Sequence, residues 1–457
     1  MLLKEQLMIA KPLPLRFFIL HLVIVSTFAL LGAPPTAIQT PHRQQVPHTT
    51  KNGKLLTKYD PKSSFFPIGQ WGVPESRVYK GIDYRWHHLV TAGYNTVWPW
   101  AMGGYSSEEQ LAQAAKHKLQ VVIMRRPRGE ALLRIKDSPN LFGIVWQDEP
   151  LINFGVEPEK QKPKQAEFLA YKQEVTDVAP DLPVFVNTAS WMVGNGRDPW
   201  IAWHKMGDLS CHDNYVIWPE TRSLNLGSYG TEKNGIADAT SLAVKVTEGK
   251  KPVWLVVGAF ESDTPPNSKF PFRYPTPMQL RGMVYTGIIH GATGITYYAW
   301  DSNITRFGMA PDIRTRIPGR PRATTTQAIT AKALWETAAA VNRELQELAP
   351  AILSPTVGDE VGYQVSFKGT AITPSPLRTL LKHSPNGGFI LITVNMDNTV
   401  ITGQFEFDQP LEEPNLIFGN SNEIPLDEGG RSFSLSYEPF QVRVVQLKFH
   451  QGNTDCK

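Results

Sequence analysis

Short apolar runs alternate with helical patterns along the chain from about residue 65 to residue 348. Each run has the length and composition of a buried parallel strand, because a strand that is covered on both faces is apolar throughout. The runs occupy 65–71, 94–100, 120–125, 141–147, 183–187, 209–215, 252–258 and 294–300. This alternation predicts an α/β fold with a parallel sheet.

Capping signals mark helices between these runs. Ser106 followed by Glu109 forms a capping box ahead of an amphipathic stretch, and Thr276 with Gln279 opens another helix in the same way. A long helical pattern over 326–348 closes the series. Eight strands alternating with helices over roughly 290 residues predict a (β/α)8 TIM barrel.

The pattern changes after about residue 350. Short strands separated by turns rich in Asn, Gly, Pro and Asp occupy 361–367, 388–395, 403–407 and 442–449. Such a series is typical of an antiparallel β-sandwich of about 100 residues. The sequence therefore predicts a barrel over 61–350 and a β-sandwich domain over 351–457.

The first residues have the pattern of an export signal. Basic residues precede an apolar stretch over 17–31, and small residues follow, with a cleavage site predicted after Ala37. A signal peptide over 1–37 would direct the mature protein to a periplasm or outside the cell. An uncleaved membrane anchor is the alternative, because the apolar stretch is close to the shortest membrane span. We expect no span in the mature chain, and a linker over 38–60.

Composition excludes several classes of partner and site. The chain has 457 residues and a formal net charge of +4, which gives no electrostatic basis for binding nucleic acid. Its two cysteines, Cys211 in a strand run and Cys456 near the C-terminal end, do not make a disulfide scaffold. The histidines show no metal-binding spacing, and no phosphate-binding glycine loop is present. We therefore expect neither a metal nor a cofactor.

Two acids and a proline, Asp148, Glu149 and Pro150, follow the fourth apolar run. Acids at the end of a buried strand are costly to desolvate, and ligands bind at that end in parallel α/β folds. The segment resembles the acid/base strand of (β/α)8-barrel glycoside hydrolases, which carry an acidic dyad or Asn-Glu before a Pro at the end of the fourth strand. The resemblance implies that Glu149 is the acid/base and that Asp148 positions or tunes it. Alternatively, these acids cap the next helix or pair with nearby arginines. Regular β geometry would not let both face a substrate.

The resemblance extends over about residues 65–450 and includes other motifs. They are Asn187 in Val-Asn-Thr, the segment Asp213-Asn-Tyr215, the Ala-Phe pair after the seventh run, and the segment 274–298. The order of the whole set resembles a retaining barrel glycoside hydrolase with a C-terminal β-sandwich.

Glycosidic hydrolysis needs a second carboxyl group, which attacks the anomeric carbon or activates water. In the retaining enzymes that the chain resembles, this group is a Glu that ends the seventh strand. The nearest acid here is Glu261, which follows the predicted strand end at Gly258. We expect Glu261 to be the nucleophile or, alternatively, a residue of the following loop. Asp213 and Asp301 are alternatives as bases of an inverting enzyme, or residues that orient a sugar.

Polar and aromatic side chains at the strand ends suit a carbohydrate cleft, and the chain contains 12 Trp. We predict substrate contacts from a set of strand-end residues: Trp71, Trp98, Arg125, Asp148, Asn187, Asp213, Tyr215, Tyr298, Trp300 and Asp301. Strand alternation directs about half of such residues towards the helices, so part of this set is expected in the core.

The sequence thus predicts an exported glycoside hydrolase that cleaves O-glycosidic bonds of an oligo- or polysaccharide. The alternative is a barrel that binds carbohydrate without cleaving it, in polysaccharide assembly or uptake. A third option is a hydrolase of another glycan bond, such as an ester, although the chain has no nucleophile elbow. The position of a second carboxylate distinguishes the glycosidase from the non-cleaving barrel, because a retaining mechanism needs two carboxyl groups about 5 Å apart.

Overall fold

The computed structural model describes residues 43–73, 86–99, 106–189, 193–226, 235–262, 271–300, 306–310, 323–418 and 423–450. The predicted signal peptide, Asp301 and Cys456 lie outside these ranges. Within them, no helix has both the length and the apolarity needed to cross a membrane.

The segment 43–60, within the range expected as a linker, packs against the end of the barrel at which the strands begin. Thr293 Oγ1 donates a hydrogen bond to the Pro47 carbonyl at 3.1 Å. A Cβ atom on Gly53 would lie 2.2 Å from the Phe142 carbonyl oxygen, so the chain passes very close to the barrel there. The segment contains a two-stranded hairpin, β1 (His48–Thr49) and β2 (Leu55–Leu56). This end of the barrel is therefore covered.

Eight parallel strands close into the predicted barrel, in the order β11-β3-β4-β5-β6-β7-β8-β9. They are β3 (Ile68–Val73), β4 (Thr96–Pro99), β5 (Gln120–Ile123), β6 (Leu141–Asp148), β7 (Val184–Ala189), β8 (Ser210–Asn214), β9 (Val253–Gly258) and, after the two-residue β10 (Glu261–Ser262), β11 (Gly294–Tyr298). Each strand coincides with one of the eight apolar runs, which confirms the predicted fold class. A further short strand, β12 (Arg306–Phe307), pairs antiparallel with β10.

Helices surround the barrel and begin where the capping signals predict. Both expected capping boxes are present, Ser106 with Glu109 and Thr276 with Gln279, and Thr324 forms a third with Gln327. The helices are α1 (Trp86–Thr91), α2 (Ser107–Lys116), α3 (Gly129–Ile135), α4 (Pro150–Phe154), α5 (Pro158–Val178), α6 (Val193–Met206), α7 (Ile236–Val246), α8 (Pro277–Ile289) and α9 (Thr325–Leu353). The expected domain boundary at residue 350 falls in the last turn of α9.

Large aromatic side chains fill the barrel interior. The rings of Trp71 and Trp98 are stacked with 4.6 Å between centroids, and Trp98 also packs against Phe185 and Trp254. The ring centroids of Phe142 and Trp254 are 4.8 Å apart, and Phe142 fills the rest of the interior. The barrel is therefore a packed core, and a ligand has room only at the mouth, where the strands end.

Two antiparallel sheets form the predicted C-terminal β-sandwich. One has the order β13-β16-β18 and the other β14-β15-β19-β17. The strands are β13 (Tyr363–Gly369), β14 (Leu377–His383), β15 (Phe389–Asn395), β16 (Ile401–Phe407), β17 (Asn415–Leu416), β18 (Ser432–Tyr437) and β19 (Val442–Leu447). Sequence patterns had identified β13, β15, β16 and β19, but not the other three.

The second sheet is buried on both faces, because one face packs on the barrel. Along β15, Leu391 belongs to the sandwich core, whereas its neighbours Ile390 and Ile392 belong to the apolar cluster that includes helix α8. Arg281 of α8 donates from Nη1 to the Val442 carbonyl at 2.9 Å. The sandwich thus shares its core with the helical layer of the barrel.

Candidate active site

Glu149 is the first residue after β6, and its backbone has left the strand conformation. Its φ of 45° and ψ of 61° are left-handed, which is uncommon for a residue with a side chain. Its N–H donates to the Asn187 carbonyl at 2.8 Å, and Pro150 then begins α4. Because the backbone turns here, the alternation rule for neighbouring strand residues does not apply to Asp148 and Glu149.

The helix-capping alternative is not realised for Glu149. It occupies the N-cap position of α4, but its side chain makes no capping hydrogen bond. The side chain is only partly buried and contacts a different group, the carboxyl of Asp213 on β8. Glu149 is therefore directed to the barrel mouth by its own backbone conformation.

A bulge in β6 sets the direction of Asp148. The register with β7 shifts between Val145 and Gln147, so that Asp148 pairs with Asn187. Asn187 is buried and donates from Nδ2 to Asp148 Oδ1 at 3.0 Å. The thiol of Cys211, on the next strand, donates to Asn187 Oδ1 at 3.4 Å. A chain of polar contacts therefore crosses β8, β7 and β6 and ends at the Asp148 carboxylate.

Asp213 lies near the end of β8, opposite Ala189 of β7, and is only 1% exposed. The side chains of Glu149 and Tyr215 lie beside its carboxyl group and lower its pKa, and its Oδ1 has no hydrogen-bond partner within the described residues. Burial, and then the nearby charge of Asp148, raise the pKa of Asp213 to about 7. Burial and the charges of Asp213 and Asp148 also raise the pKa of the Cys211 thiol, which favours its neutral form.

Aromatic rings form the wall beside the carboxyl groups. Tyr215 and Tyr298 are stacked with centroids 5.6 Å apart, and Phe260 packs edge-on against both, at 5.1 and 5.4 Å. Phe272 lies 5.9 Å from Tyr215 and 5.3 Å from Phe260. Tyr215 therefore contributes to both the polar cluster and the aromatic wall.

Glu261 lies beyond the end of β9, on the short arm formed by β10 and β12. Gln327 Nε2, in the first turn of α9, donates to Glu261 Oε1 at 3.2 Å. The same Gln327 accepts from the N–H of Thr324 in its capping box. Partial burial raises the pKa of Glu261, although the hydrogen bond from Gln327 opposes that shift. Glu261 is thus bound to the start of α9, in the loop position that the sequence left open.

The other residues predicted to contact substrate differ in how deeply they are buried. Trp71 and Trp98 are 1% and 0% exposed inside the barrel, so their rings have no face open to a ligand. Trp300 is 3% exposed and packs on Trp335 of α9, on the helix side of the barrel. Arg125 is partly buried just after the end of β5. The mouth therefore collects Asp148, Glu149, Asn187, Asp213, Tyr215 and Tyr298, and Asp301 lies outside the described residues.

Sequence reasoning missed two residues that shape this site, Phe272 and Arg126, and named Phe260 only as part of the Ala-Phe pair. Phe260 and Phe272 lie in loops beyond the strand ends. Arg126 donates from Nε to the Trp146 carbonyl at 2.7 Å and from Nη2 to Gln147 Oε1 at 2.7 Å, which holds the bulged part of β6. Its position just after the third strand run was the available signal. In the described part of the chain, no group of three or more His, Cys, Asp or Glu is arranged to hold a metal.

Two solved glycoside hydrolase structures are similar to this chain over most of its length. One, described as a glycoside hydrolase, is 13% identical and covers 90% of this chain and 99% of its own, with a TM-score of 0.50. The other, a glycoside hydrolase family 5 protein from Bacteroides vulgatus ATCC 8482, is 13% identical over 89% of this chain and 95% of its own, with a TM-score of 0.51. No protein-family model matches the sequence, and no curated protein matches it. The likeness confirms the predicted glycoside hydrolase-like barrel at the level of the fold.

Proposed function

We propose that the protein is an exported glycoside hydrolase that cleaves O-glycosidic bonds of an oligo- or polysaccharide, with Glu149 as the acid/base. The observation that carries this proposal is the contact between the carboxyl groups of Glu149 and Asp213 at the end of the barrel where the strands end. A protonated carboxyl at that place is suited to protonating a glycosidic oxygen. The likeness to glycoside hydrolase structures supports the same fold-level interpretation.

In this mechanism, Glu149 donates its proton to the oxygen of the leaving sugar, and the bond from that oxygen to the anomeric carbon breaks as the second carboxylate bonds to that carbon. The ionised Glu149 then takes a proton from water, whose oxygen bonds to the anomeric carbon and releases the second carboxylate. Tyr215, Phe260 and Tyr298 present aromatic and hydroxyl groups beside this position, and Asp148, held by Asn187, presents a carboxylate. These groups are suited to sugar ring faces and hydroxyls.

Glu261 is proposed as the second carboxylate, as the sequence indicates. Its partial exposure and its hydrogen bond from Gln327 support a fixed, accessible orientation. Its raised pKa weighs against it as a nucleophile at acidic pH, because only the ionised form attacks. Asp301 remains the alternative, whereas the burial of Asp213 favours an indirect role for that residue.

One observation favours the second candidate function, a barrel that binds carbohydrate without cleaving it. The strand that ends in the nucleophile of the retaining enzymes ends here at Gly258, whose side-chain space is occupied by the ring of Tyr215. A carboxyl group cannot be presented from that position without displacing the aromatic wall.

The test compares wild type with Glu149→Gln and Glu261→Gln on a panel of aryl glycosides and polysaccharides. Glu130→Gln is a matched control, because the Glu130 side chain is 91% exposed on α3 and pairs with Arg134 of the same helix. Loss of turnover in both site variants, with Glu130→Gln active, supports the carboxylate pair. Loss of turnover in Glu149→Gln alone would still support a glycosidase, but Asp301 or the substrate itself would then act in place of Glu261. Glycan binding without turnover in wild type would favour the non-catalytic alternative.

Export is the remaining part of the proposal. It is supported by the basic residues and the apolar stretch 17–31 ahead of Ala37. N-terminal sequencing of the protein secreted by an expressing bacterium tests it. A mature chain that begins at residue 38 supports a cleaved signal, and a membrane-bound chain that retains residues 1–37 supports the anchor.

A further inference from the structure

Asp213 occupies a position from which it cannot contact a substrate directly. It is 1% exposed on the interior face of β8, whereas Asp148, Glu149 and Glu261 are each partly exposed. A carboxyl group this deeply buried is costly unless another group binds it or it carries a proton. Its role must therefore be exerted through its neighbours.

Those neighbours are the carboxyl of Glu149 and the hydroxyl of Tyr215, both of which lie beside the Asp213 carboxyl and act on its pKa. Two ionised carboxylates repel each other at close range in a buried site, so the proximity of Glu149 and Asp213 favours a state in which the pair holds at least one proton. The charge of Asp148 also acts on Asp213 and opposes loss of that proton.

The groups around Asp213 on the neighbouring strands also favour the state in which the pair holds a proton. At the end of β6 the titratable groups are Asp148 and Glu149. On β8 and just after it they are Cys211 and Tyr215. β7 contributes the neutral amide of Asn187. Among the residues that the structure describes, no cation acts on the Asp213 carboxyl. Full ionisation of the pair would therefore leave neighbouring negative charges in a poorly solvated site.

We propose that Asp213 is a positioning residue that shares one proton with Glu149 and so keeps Glu149 able to act as the acid up to neutral pH. This inference rests on the proposed function. The proton goes from the pair to the glycosidic oxygen as the bond from that oxygen to the anomeric carbon breaks. The pair recovers a proton from the attacking water, whose remaining hydroxide oxygen bonds to the sugar. Protons and charge therefore balance over one turnover.

Asp213→Asn tests the proposal, because the amide keeps the shape of the side chain but removes its charge and its proton. A neutral amide donates a hydrogen bond to ionised Glu149, so Glu149 should lose its proton at lower pH. We expect the alkaline limb of the kcat/KM profile to move to lower pH by about one unit or more, with KM little changed. A uniform loss of activity at every pH would overturn the proposal, because it would indicate a purely structural role.

His212→Asn is the matched control. His212 is the neighbouring buried residue on β8, but it faces Thr240 of α7 on the helix side of the strand. This variant should lower stability or activity without moving the alkaline limb. Movement of the limb in His212→Asn to the same extent would contradict a specific effect of Asp213.

Infrared titration of the resting protein separates failure of this inference from failure of the glycosidase proposal. In wild type, the carbonyl band of a protonated carboxyl should persist towards pH 7, and it should be lost at lower pH in Asp213→Asn. Persistence of the band without turnover of any glycan would reject the glycosidase but support the shared proton. Loss of the band at the pH of an ordinary carboxyl in wild type would overturn the shared proton.

Discussion

A Cβ atom added to Gly258 would lie 2.9 Å from Cδ1 of Tyr215. The end of β9 therefore depends on the absence of a side chain, because the Tyr215 ring packs over it and is held from the other side by Phe260 and Tyr298. The end of β9, where the resemblance to retaining enzymes leads one to expect a nucleophile, is part of the aromatic wall in this structure.

Gly258→Ala should therefore destabilise the protein. The ring of Tyr215 cannot move without disturbing Phe260 and Tyr298, so we expect a loss of about 1–3 kcal/mol in the free energy of unfolding, measured by urea denaturation. Gly429→Ala is the control, because a Cβ atom there meets only Asp427 at 3.8 Å. Equal stability of the two variants would contradict the close packing at Gly258.

The left-handed backbone of Glu149 predicts an inverted preference between alanine and glycine. Left-handed geometry costs a residue with a Cβ atom about 1–2 kcal/mol, and glycine avoids that cost. Glu149→Gly should therefore be more stable to denaturant than Glu149→Ala by about 1 kcal/mol. At Glu130, inside α3, the order should be the usual one, with alanine the more stable. The same order at both sites would show that Glu149 is not strained.

Asn187→Asp should be destabilising in a pH-dependent manner. The new carboxylate would lie about 3.0 Å from Asp148 Oδ1 and would replace a hydrogen-bond donor by a like charge in a buried site. Its loss of stability relative to wild type should be small at low pH and grow as pH rises above about 4, where an unfolded Asp ionises. Thermal unfolding at several pH values measures this difference. Asn415→Asp, at an exposed position, should show no such growth.

Because Lys382 on β14 is buried, we expect the free energy of unfolding to rise with pH above pH 7. Burial lowers its pKa from 10.5 to about 7, and its Nζ donates to Thr356 Oγ1 at 3.0 Å. Between pH 7 and pH 10.5 the unfolded chain keeps this proton while the folded protein has lost it, so the free energy of unfolding increases with pH in that window. The increase attributable to Lys382 should approach about 1.4 kcal/mol per pH unit.

Lys382→Met should remove this slope, and Lys368→Met, at an exposed position of β13, should keep it. Chemical denaturation of all three proteins at pH 7, 8 and 9 gives the comparison. An unchanged slope in Lys382→Met would assign the pH dependence to other groups.

The barrel strands could be predicted because they are covered on both faces, and continuous apolar runs report that burial directly. The capping boxes at Ser106 and Thr276 could be predicted because they are local in sequence. β14 was missed because Arg378, Thr379 and Lys382 interrupt its apolar pattern, although its burial against the barrel tolerates them.

The candidate site could be predicted only in part. The strand-end pattern identified Glu149, Asn187, Asp213 and Tyr215 as candidates, and the structure brings them together. The contact between Glu149 and Asp213, however, depends on a left-handed residue that nothing in the sequence signals. The inward direction of Asp148 depends on the β6 bulge, which likewise has no glycine to mark it. The Trp residues were overestimated as ligand contacts, because the interior of a narrow barrel needs large side chains as filling.

The core shared by helix α8 and the second sandwich sheet limits how the protein can be truncated. A fragment cut at residue 350 would end inside α9 and expose the apolar surface of α8, while the complementary fragment would expose Ile390 and Ile392. Such surfaces promote aggregation. We expect neither fragment to be soluble alone, and an exchange of the sandwich between related proteins would have to preserve the matching face of α8.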